Sequence, residues 1–486
     1  MNREICLSTE SQEYAKIIFE IIKTFNSDQS WKSLFENDEE FQKLRVDNYP
    51  GYIQFSLGSN SLRLDKRENI SQDENEFKRL IRLGVFRILA DFYEDKSPWG
   101  ILTGIRPSKI AHRLFEAGFN REDTIKYLIN NYELREDKAK LLTEVTENEK
   151  KFLAGKAQPN GISIYINIPF CPSKCSYCSF PSVPITRKIS LQRYFSTLIN
   201  EIQETAKIIK KFDLRVQTVY VGGGTPTILD EEQLFLLQKM INDKFLSEET
   251  LEYTFEAGRP DTINQKKLEI LKAGGVTRIS INPQTLFQDT LDLIGRKHSV
   301  GDVRRAYDQA VKAGFNNINM DFIIGLPGED KKIVENNLQL LSTYSPESIT
   351  LHTLAKKRTA DLEKGVVCNL KNDIVQEMMS LYQNYCNNIG YRAYYLYRQK
   401  QSAGNLENVG YAISKPCLYN IFMIEERQTI LGLGAGASSK IVNQKDFSLE
   451  NIFNPKDILI YEERMQEKMS VKAELIKKWI TSFGNS

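Results

Sequence analysis

The chain has 486 residues, 41% of them hydrophobic and 26% charged, which is ample material for buried cores and more length than one ordinary domain uses. Its 65 Lys and Arg residues nearly cancel its 63 Asp and Glu residues, so no overall charge would recruit nucleic acid or an anionic membrane. The start MNREICLSTESQEY lacks the apolar segment of a secretory signal, and no run of about 18 apolar residues follows, so we expect a cytoplasmic protein with no transmembrane segment.

Residues 1–157 are expected to form a separate α+β domain. β-rich stretches with a Gly-Ser-Asn turn between them predict a hairpin at 52–64. Apolar residues at helical spacing predict a helix over 73–93. A loop-like stretch at 99–107 ends in a proline, which suits the start of a further helix. Charged helical sequence then continues to about Phe152.

Residues 158–365 change to short apolar runs that alternate with amphipathic helical stretches. The runs lie at 162–168, 218–222, 251–257, 277–282, 317–324 and 348–354. Six β-α repeats predict an α/β fold with parallel strands, and right-handed crossovers would curl the sheet into a partial (β/α)6 barrel. Because barrel chemistry occurs at the carboxyl ends of the strands, the polar motifs found there form the candidate site.

Residues 366–486 lose this alternation, and we expect a C-terminal α/β module. A helix is predicted at 373–387, followed by an aromatic run at 391–397 and a glycine-rich stretch at 431–438. A final amphipathic helix ends the chain. The sequence thus predicts three domains, with the partial barrel in the middle.

Three of the seven cysteines crowd into the loop after the first predicted barrel strand. Cys171, Cys175 and Cys178 form a C-x3-C-x2-C pattern. Three thiolates can bind three irons of a [4Fe-4S] cluster and leave the fourth open for S-adenosylmethionine (SAM), whose reductive cleavage gives a hydrogen-abstracting 5′-deoxyadenosyl radical. A zinc site is the competing hypothesis, but it needs four ligands, and the next Cys or His is His298.

This motif, followed by Gly222-Gly223-Gly224-Thr225-Pro226-Thr227 after the second strand, resembles the radical SAM superfamily. More narrowly, residues of about 160–440 are similar to the oxygen-independent coproporphyrinogen III dehydrogenase family and its heme-chaperone relatives. The stretches 99–107 and 394–411 resemble the HemZ-like subgroup. The resemblance implies a [4Fe-4S] cluster and SAM as cofactors, a small-molecule tetrapyrrole substrate, and a reductant for the cluster.

The resemblance also implies roles for thirteen residues. The three cysteines would ligate the cluster. The residues implied to bind SAM are Tyr165, Tyr177, Gly223, Gly224, Thr225, Glu256, Gln284, Arg296, Asp321 and Ala355. A turn without side chains lets backbone groups approach the SAM amino group, and an arginine suits a fork-type salt bridge to its carboxylate. For the two acidic residues a solvated loop position and a barrel ion pair remain as alternatives.

Two positions depart from the best-known dehydrogenases of the family. Those enzymes carry a fourth cysteine two residues after the third and a histidine two residues after the tyrosine, where this chain has Phe180 and Asn167. The heme chaperones carry a His-Arg-Asn type segment where this chain has residues 403–406, Ala-Gly-Asn-Leu. No histidine follows His352, which argues against His ligation of heme by the C-terminal module.

Three functional hypotheses follow. The first is oxidative decarboxylation of two propionates of coproporphyrinogen III, which gives protoporphyrinogen IX. Its candidate propionate partners are Lys356, Lys357, Arg358, Arg392 and Arg398. The second is a non-enzymatic role in heme binding or delivery. The third is another radical SAM reaction on a tetrapyrrole, such as methyl transfer with ring opening of heme.

Overall fold

The structure, a computed structural model, divides into two compact units. It describes residues 5–9, 12–25, 32, 42–66, 74–153, 160–185, 191–355, 370–443 and 448–481. Unit 1 comprises Met1–Thr146 and Tyr397–Glu407, and unit 2 comprises Glu147–Leu396 and Asn408–Ser486. The predicted domain boundaries near 157 and 365 lie outside the described residues, so the three-domain division stays a prediction. Within the described ranges no helix is both long and apolar enough to span a bilayer.

Unit 1 combines helices with a four-stranded sheet. Its strands are β1 (Ile5–Thr9), β2 (Gln42–Asn48), β3 (Tyr52–Leu57) and β4 (Asn60–Asp65), and its helices are α1 (Gln12–Phe25), α2 (Glu74–Tyr93), α3 (Ser108–Glu116), α4 (Arg121–Tyr132) and α5 (Glu136–Leu153), the last continuing into unit 2. The sheet order is β1-β2-β3-β4, with β1 parallel to β2 and the other pairs antiparallel. The apolar faces of α1 and α2 share one core with this sheet. The predicted hairpin and the predicted helix at 73–93 are confirmed.

A buried ion pair holds the segment Tyr397–Glu407 against the helices of unit 1. Glu407 accepts hydrogen bonds from Trp99 Nε1 and from Lys138 Nζ, each at 2.8 Å. The side chains of Lys138 and Glu407 are 1% and 0% exposed. A buried carboxylate is costly unless it is paired and hydrogen-bonded, so this contact fixes the segment to the helical part of the unit.

Unit 2 is built on one large sheet. Its strands are β5 (Gly161–Ile168), β8 (Arg215–Gly223), β9 (Glu252–Glu256), β10 (Arg278–Ser280), β11 (Ile318–Ile324), β12 (Ser348–Thr353), β13 (Arg392–Arg398), β14 (Glu407–Ala412), β15 (Thr429–Leu433), β16 (Ser438–Val442) and β17 (Leu449–Phe453). The order is β13-β14-β12-β11-β10-β9-β8-β5-β15-β16-β17. A small separate pair joins β6 (Phe170–Cys171) to β7 (Val183–Pro184).

All six predicted apolar runs form strands, and β5 with β8 to β12 are parallel. The helices of the unit are α6 (Leu191–Lys211), α7 (Glu231–Phe245), α8 (Gln265–Ala273), α9 (Gln288–Leu293), α10 (Val300–Lys312), α11 (Lys331–Leu341), α12 (Asn372–Asn388), α13 (Leu418–Glu425) and α14 (Ile458–Thr481). The sheet is open and ends at β13 and β17. It therefore has the predicted partial-barrel character rather than that of a closed barrel.

Strands from the C-terminal part of the chain extend this sheet at both edges. β15 runs parallel to β5, and β14 runs antiparallel to β12. The glycine-rich stretch at 431–438 is therefore a strand and the turn that follows it. A buried ion pair anchors α14 to α6, because Lys472 Nζ lies 2.7 Å from Glu201 Oε1. Tyr461 and the amide of Gly434 donate to the other oxygen of Glu201, both at 2.7 Å.

Candidate functional site

The cysteine loop leaves the carboxyl end of β5. Cys171 lies in β6 and Cys175 is buried, whereas Cys178 is half-buried. The amide of Cys178 donates to the carbonyl of Cys175 at 3.1 Å, and the amide of Ser176 donates to the carbonyl of Ile294 at 3.1 Å. The three thiols form no disulfide, and burial raises the pKa of the Cys178 thiol. The loop therefore presents three separate sulfurs at one edge of the sheet.

The glycine turn at the end of β8 packs against the start of this loop. A Cβ on Gly223, whose φ is +111°, would lie 2.0 Å from Asn167 Oδ1, and a Cβ on Gly224 would lie 2.5 Å from the Phe170 carbonyl oxygen. Glycine is needed here because neighbouring protein atoms fill the space. The amide of Thr225 donates to the Phe170 carbonyl at 2.7 Å. Since the Phe170 carbonyl already accepts this hydrogen bond, an ammonium group of SAM, itself a donor, is expected to use other acceptors.

Glu256 supplies such an acceptor at the end of β9. Its carboxylate accepts from the Tyr220 hydroxyl at 2.6 Å and from the Gly223 amide at 3.2 Å. Burial raises its pKa to about 7, and the nearby charge of Asp321 acts in the same direction. A carboxyl with this pKa changes its charge near neutral pH. It faces the glycine turn and is not a solvated loop residue.

Gln284 links the loop after β10 to β11. Its amide donates to the Asp321 carbonyl and its carbonyl accepts from the Ile323 amide, both at 3.0 Å. The residue has a left-handed φ of +71°, which is unfavourable for a side chain of this type. Its buried Oε1 has no hydrogen-bond partner among the described residues. The side chain can therefore accept a hydrogen bond from a ligand.

Arg296 is buried in the loop after α9. Its guanidinium donates to the carbonyls of Gly258 at 3.4 Å and of Asn282. The Nε donor of Arg296 has no acceptor within the described ranges. Its polar partners here are neutral carbonyls, so the cation can still bind an anionic group such as a carboxylate.

Asp321 points from β11 toward His352 of the neighbouring strand β12. The His352 Nε2 atom lies 3.7 Å from Asp321 Oδ2, and Asn319 Nδ2 donates to Asp321 Oδ1 at 2.6 Å. Burial opposes ionisation of Asp321, but hydrogen bonds from His352, Asn319 and Thr350 outweigh it and hold the pKa below its ordinary value. The carboxylate is thus held ionised inside the unit, and the ion-pair interpretation of Asp321 agrees with this geometry.

The remaining predicted residues line the same region. Tyr177, between two of the cysteines, packs on an apolar cluster formed by Ile294, Ile323, Leu326 and Leu354. Ala355, which follows Leu354 of this cluster in the chain, is buried. Tyr165 of β5 donates its hydroxyl to Asn167 Oδ1 at 3.1 Å and stacks on Tyr419, with 6.1 Å between the ring centroids.

Two contacts to cysteine sulfur were missed by the sequence reasoning. Arg259 Nη1 lies 3.7 Å from Cys175 Sγ, and its guanidinium forms two hydrogen bonds of 2.9 Å with the carboxylate of Asp261. The Thr225 hydroxyl lies 3.4 Å from Cys171 Sγ. A basic residue just after the end of β9 was the available signal for Arg259. Its side chain is 4% exposed.

The donor set fits an anionic cluster and a zwitterionic ligand. N–H and O–H donors beside cysteine sulfurs stabilise their thiolate form and tune a cluster bound to them. The carboxylates of Glu256 and Asp321 can accept hydrogen bonds from ammonium and hydroxyl groups, whereas Arg296 can bind a carboxylate. These are the functional groups that SAM presents.

Comparison with known proteins agrees with this geometry. Residues 165–341 match the Radical SAM superfamily. Over 386 residues the chain is 38% identical to the oxygen-independent coproporphyrinogen-III oxidase-like protein HemZ of Bacillus subtilis strain 168, a match that covers 78% of this chain and 77% of that protein. It is also 38% identical over 193 residues to the heme chaperone HemW of the same organism, which covers 40% of this chain and 50% of the chaperone.

The fold is similar to a solved structure of coproporphyrinogen III oxidase (HemN) from Escherichia coli, described as a radical SAM enzyme. The TM-score is 0.52 at 20% identity, and the match covers 66% of this chain and 72% of the other. The similarity to HemZ extends over about twice as much of the chain as the similarity to HemW.

Proposed function

This chain belongs to the HemZ-like family of radical SAM proteins, and we propose that it is an oxidative decarboxylase that converts coproporphyrinogen III to protoporphyrinogen IX. Its cofactors are those of the superfamily, a [4Fe-4S] cluster and SAM. The proposal rests chiefly on the Glu256 carboxylate, which faces the glycine turn beside the cysteine loop. A charged group that is poised to bind SAM suits an enzyme better than a passive carrier.

We assign the cluster to Cys171, Cys175 and Cys178 and the SAM site to the ten residues named from the sequence. When bound, the cluster and SAM supply a hydrogen-atom abstraction at the β-carbon of a propionate, after which loss of CO2 and of one electron to a one-electron acceptor leaves a vinyl group. Two such rounds, each consuming one SAM, give the two vinyl groups of the product.

The residues of the chain bind SAM and orient it. Glu256 accepts hydrogen bonds from the SAM ammonium, and Arg296 binds the SAM carboxylate. Asp321, kept ionised by His352, accepts from the ribose hydroxyls. Tyr177 and its apolar cluster keep water away from the loop.

The two departures from the best-known dehydrogenases bear on the substrate. Asn167 is buried; its Nδ2 donates to the Ala435 carbonyl at 2.5 Å, and its Oδ1 accepts from Tyr165. It braces β5 against the loop after β15, and an amide carries no titratable proton. Phe180, just past the third cysteine, is 44% exposed. The proposed reaction therefore proceeds without an acid, base or thiol at these positions.

The candidate propionate partners differ in their surroundings. Lys356, Lys357 and Arg358 lie outside the described residues. Arg392 is exposed at the start of β13. Arg398, the last residue of β13, is buried and donates to the backbone carbonyls of Leu102 and Asn405.

An anaerobic assay tests the proposal. Reconstituted protein with SAM, a reductant, a one-electron acceptor and coproporphyrinogen III should release CO2 and 5′-deoxyadenosine in equal amounts, two of each per protoporphyrinogen IX. Cleavage of SAM without decarboxylation would overturn the substrate assignment. Product mass spectrometry would reveal a methylated or ring-opened tetrapyrrole instead, and a stoichiometric Soret shift on heme titration would favour the heme-delivery function suggested by the similarity to HemW.

Two cysteine substitutions, one of them a control, test the cluster ligands. Cys175→Ala should abolish both the brown chromophore of the cluster and SAM cleavage. Cys386→Ala is the matched control, since Cys386 is also buried but lies in α12, outside the motif. Retention of the chromophore in Cys175→Ala would refute the assignment.

A further inference from the structure

Unit 1 contains a cavity that none of the proposed cluster and SAM residues lines. Its volume is about 930 Å³, and its walls are one face of α1, including Lys16, Phe19 and Lys23, and the segment 398–401. A volume of this size lies in the range of about 300–1,000 Å³ that is usual for pockets that hold small molecules. All of the described residues that line it belong to unit 1.

A buried arginine lies in the wall of this cavity. Arg398 is 4% exposed, and its guanidinium donates to the carbonyls of Leu102 and Asn405 and to the Asn405 side chain. Burial lowers its pKa to about 10, so it stays cationic at neutral pH. Glu407, the carboxylate that acts on it, is bound by Trp99 and Lys138.

Among the described residues the Arg398 cation contacts the Trp99 ring, whose centroid lies 5.3 Å from the guanidinium carbon, but it forms no ion pair. The groups that accept its hydrogen bonds are neutral, and its Nε donor finds no acceptor among the described residues. A buried cation is costly unless an anion or a full set of acceptors satisfies it. An anionic group in the cavity would provide both.

The rest of the wall carries the same sign of charge. Among the described lining residues, Lys16, Lys23, Lys400 and Arg398 make four cations against the single carboxylate of Glu20. Lys400 Nζ lies 3.1 Å from Glu20 Oε1. The Phe19 ring, with the Lys23 ammonium 5.4 Å from its centroid, adds an apolar surface. Cationic groups around an aromatic wall suit a ligand with several carboxylates on an apolar body.

We propose that this cavity of unit 1 binds a tetrapyrrole through its propionate groups, at a site separate from the SAM-binding residues. The choice of a tetrapyrrole among polycarboxylates rests on the proposed function, whereas the anionic character of the ligand rests on the cavity itself. None of the residues proposed to hold the cluster and SAM lines this cavity, so the role proposed for the site is binding.

Charge reversal on α1 tests the site in the full chain. The probe is coproporphyrin III, the air-stable oxidised form of the proposed substrate with four propionates, and its fluorescence reports binding. Lys16→Glu with Lys23→Glu should weaken coproporphyrin III binding at one class of sites at least about tenfold, since charge-assisted contacts in the cavity become repulsive. Lys126→Glu changes an exposed residue of α4 that does not line the cavity, and it should leave binding unchanged. Arg398→Gln should also weaken it, but this buried change can unfold unit 1, so the α1 variants decide.

The outcomes separate this site from the decarboxylase proposal. Equal binding by the native protein and the doubly reversed variant, or no binding by either, would overturn the site. Displacement of the porphyrin by equal concentrations of citrate or inorganic phosphate would overturn the tetrapyrrole assignment. Loss of binding in the reversed variant supports the site even if the native protein fails to decarboxylate coproporphyrinogen III, because that failure concerns unit 2 alone.

Discussion

Replacement of Glu256 by glutamine should remove a pH dependence of SAM binding. Burial raises the pKa of Glu256 to about 7, the charge of Asp321 adds to this effect, and a hydrogen bond from Tyr220 and the cation of Arg278 oppose it. The ammonium group of SAM prefers an ionised carboxylate. Protonation of Glu256 below about pH 7 should therefore weaken SAM binding.

The magnitude follows from the titration. With a pKa of about 7, roughly nine-tenths of the carboxyl is ionised at pH 8 and roughly one-tenth at pH 6. The dissociation constant of SAM should rise about tenfold over that interval in the native protein and stay nearly constant in Glu256→Gln.

The pH dependence of folding stability has the opposite sign to that of SAM binding. A carboxyl whose folded pKa is raised from 4.5 to about 7 is protonated more readily in the native state. Its contribution to stability is therefore lost as the pH rises from about 4.5 through about 7. At one pKa unit per 1.36 kcal/mol, the shift corresponds to up to about 3 kcal/mol. Glu256→Gln should regain part of that free energy of unfolding at pH 8.

Glu329→Gln is the matched control. Burial raises the pKa of Glu329 to about 7 as well, and its carboxylate accepts a hydrogen bond from Thr285. This variant should change the pH dependence of the free energy of unfolding and leave that of SAM affinity intact. Calorimetric titration of SAM at pH 6, 7 and 8, with anaerobic reconstituted protein, measures the SAM affinity of each variant, and denaturant titration at the same pH values measures its free energy of unfolding. A Glu256→Gln protein whose SAM affinity still changes tenfold would refute the reasoning.

Three further changes test other parts of unit 2. Lys472→Met leaves the buried carboxylate of Glu201 without its cation and should cost about 3–5 kcal/mol in the free energy of unfolding measured with denaturant; a loss below about 1 kcal/mol contradicts the role of the pair. Arg259→Gln removes a cationic donor beside a cysteine sulfur and should lower the cluster reduction potential by roughly 50 mV in an EPR-monitored titration, so an unchanged potential contradicts the contact. Gly223→Ala should weaken SAM binding, because a Cβ there clashes and φ is positive; Gly104→Ala, in open space, is the control, and equal SAM affinity in both variants contradicts the packing of the turn.

Local patterns were sufficient for the strands of the partial barrel. Parallel strands buried on both faces appear as continuous apolar runs, and the run at 348–354 became β12 with nearly the same limits. The cysteine and glycine motifs were also recognisable, because each is contiguous and follows a strand.

Contacts between distant residues could not be read in this way. The pairing of β15 with β5 joins residues more than 260 positions apart, and a run such as 431–433 is equally compatible with a loop. Arg259 and Cys175 are 84 positions apart, so their proximity depends on how two strand ends meet. The burial of Arg398 likewise depends on a chain that returns to unit 1, which composition does not reveal.

The return of the chain to unit 1 at Tyr397–Glu407 affects synthesis on the ribosome. Lys138 emerges early, but its carboxylate partner Glu407 follows 269 residues later. At about 5–20 residues per second, the lysine waits on the order of tens of seconds for its partner. Unit 1 therefore cannot complete its buried charge pair until most of unit 2 has been made. An isolated N-terminal fragment would carry the lysine without Glu407 and leave it only the Asp137 carboxylate, whose Oδ2 lies 3.8 Å from Lys138 Nζ.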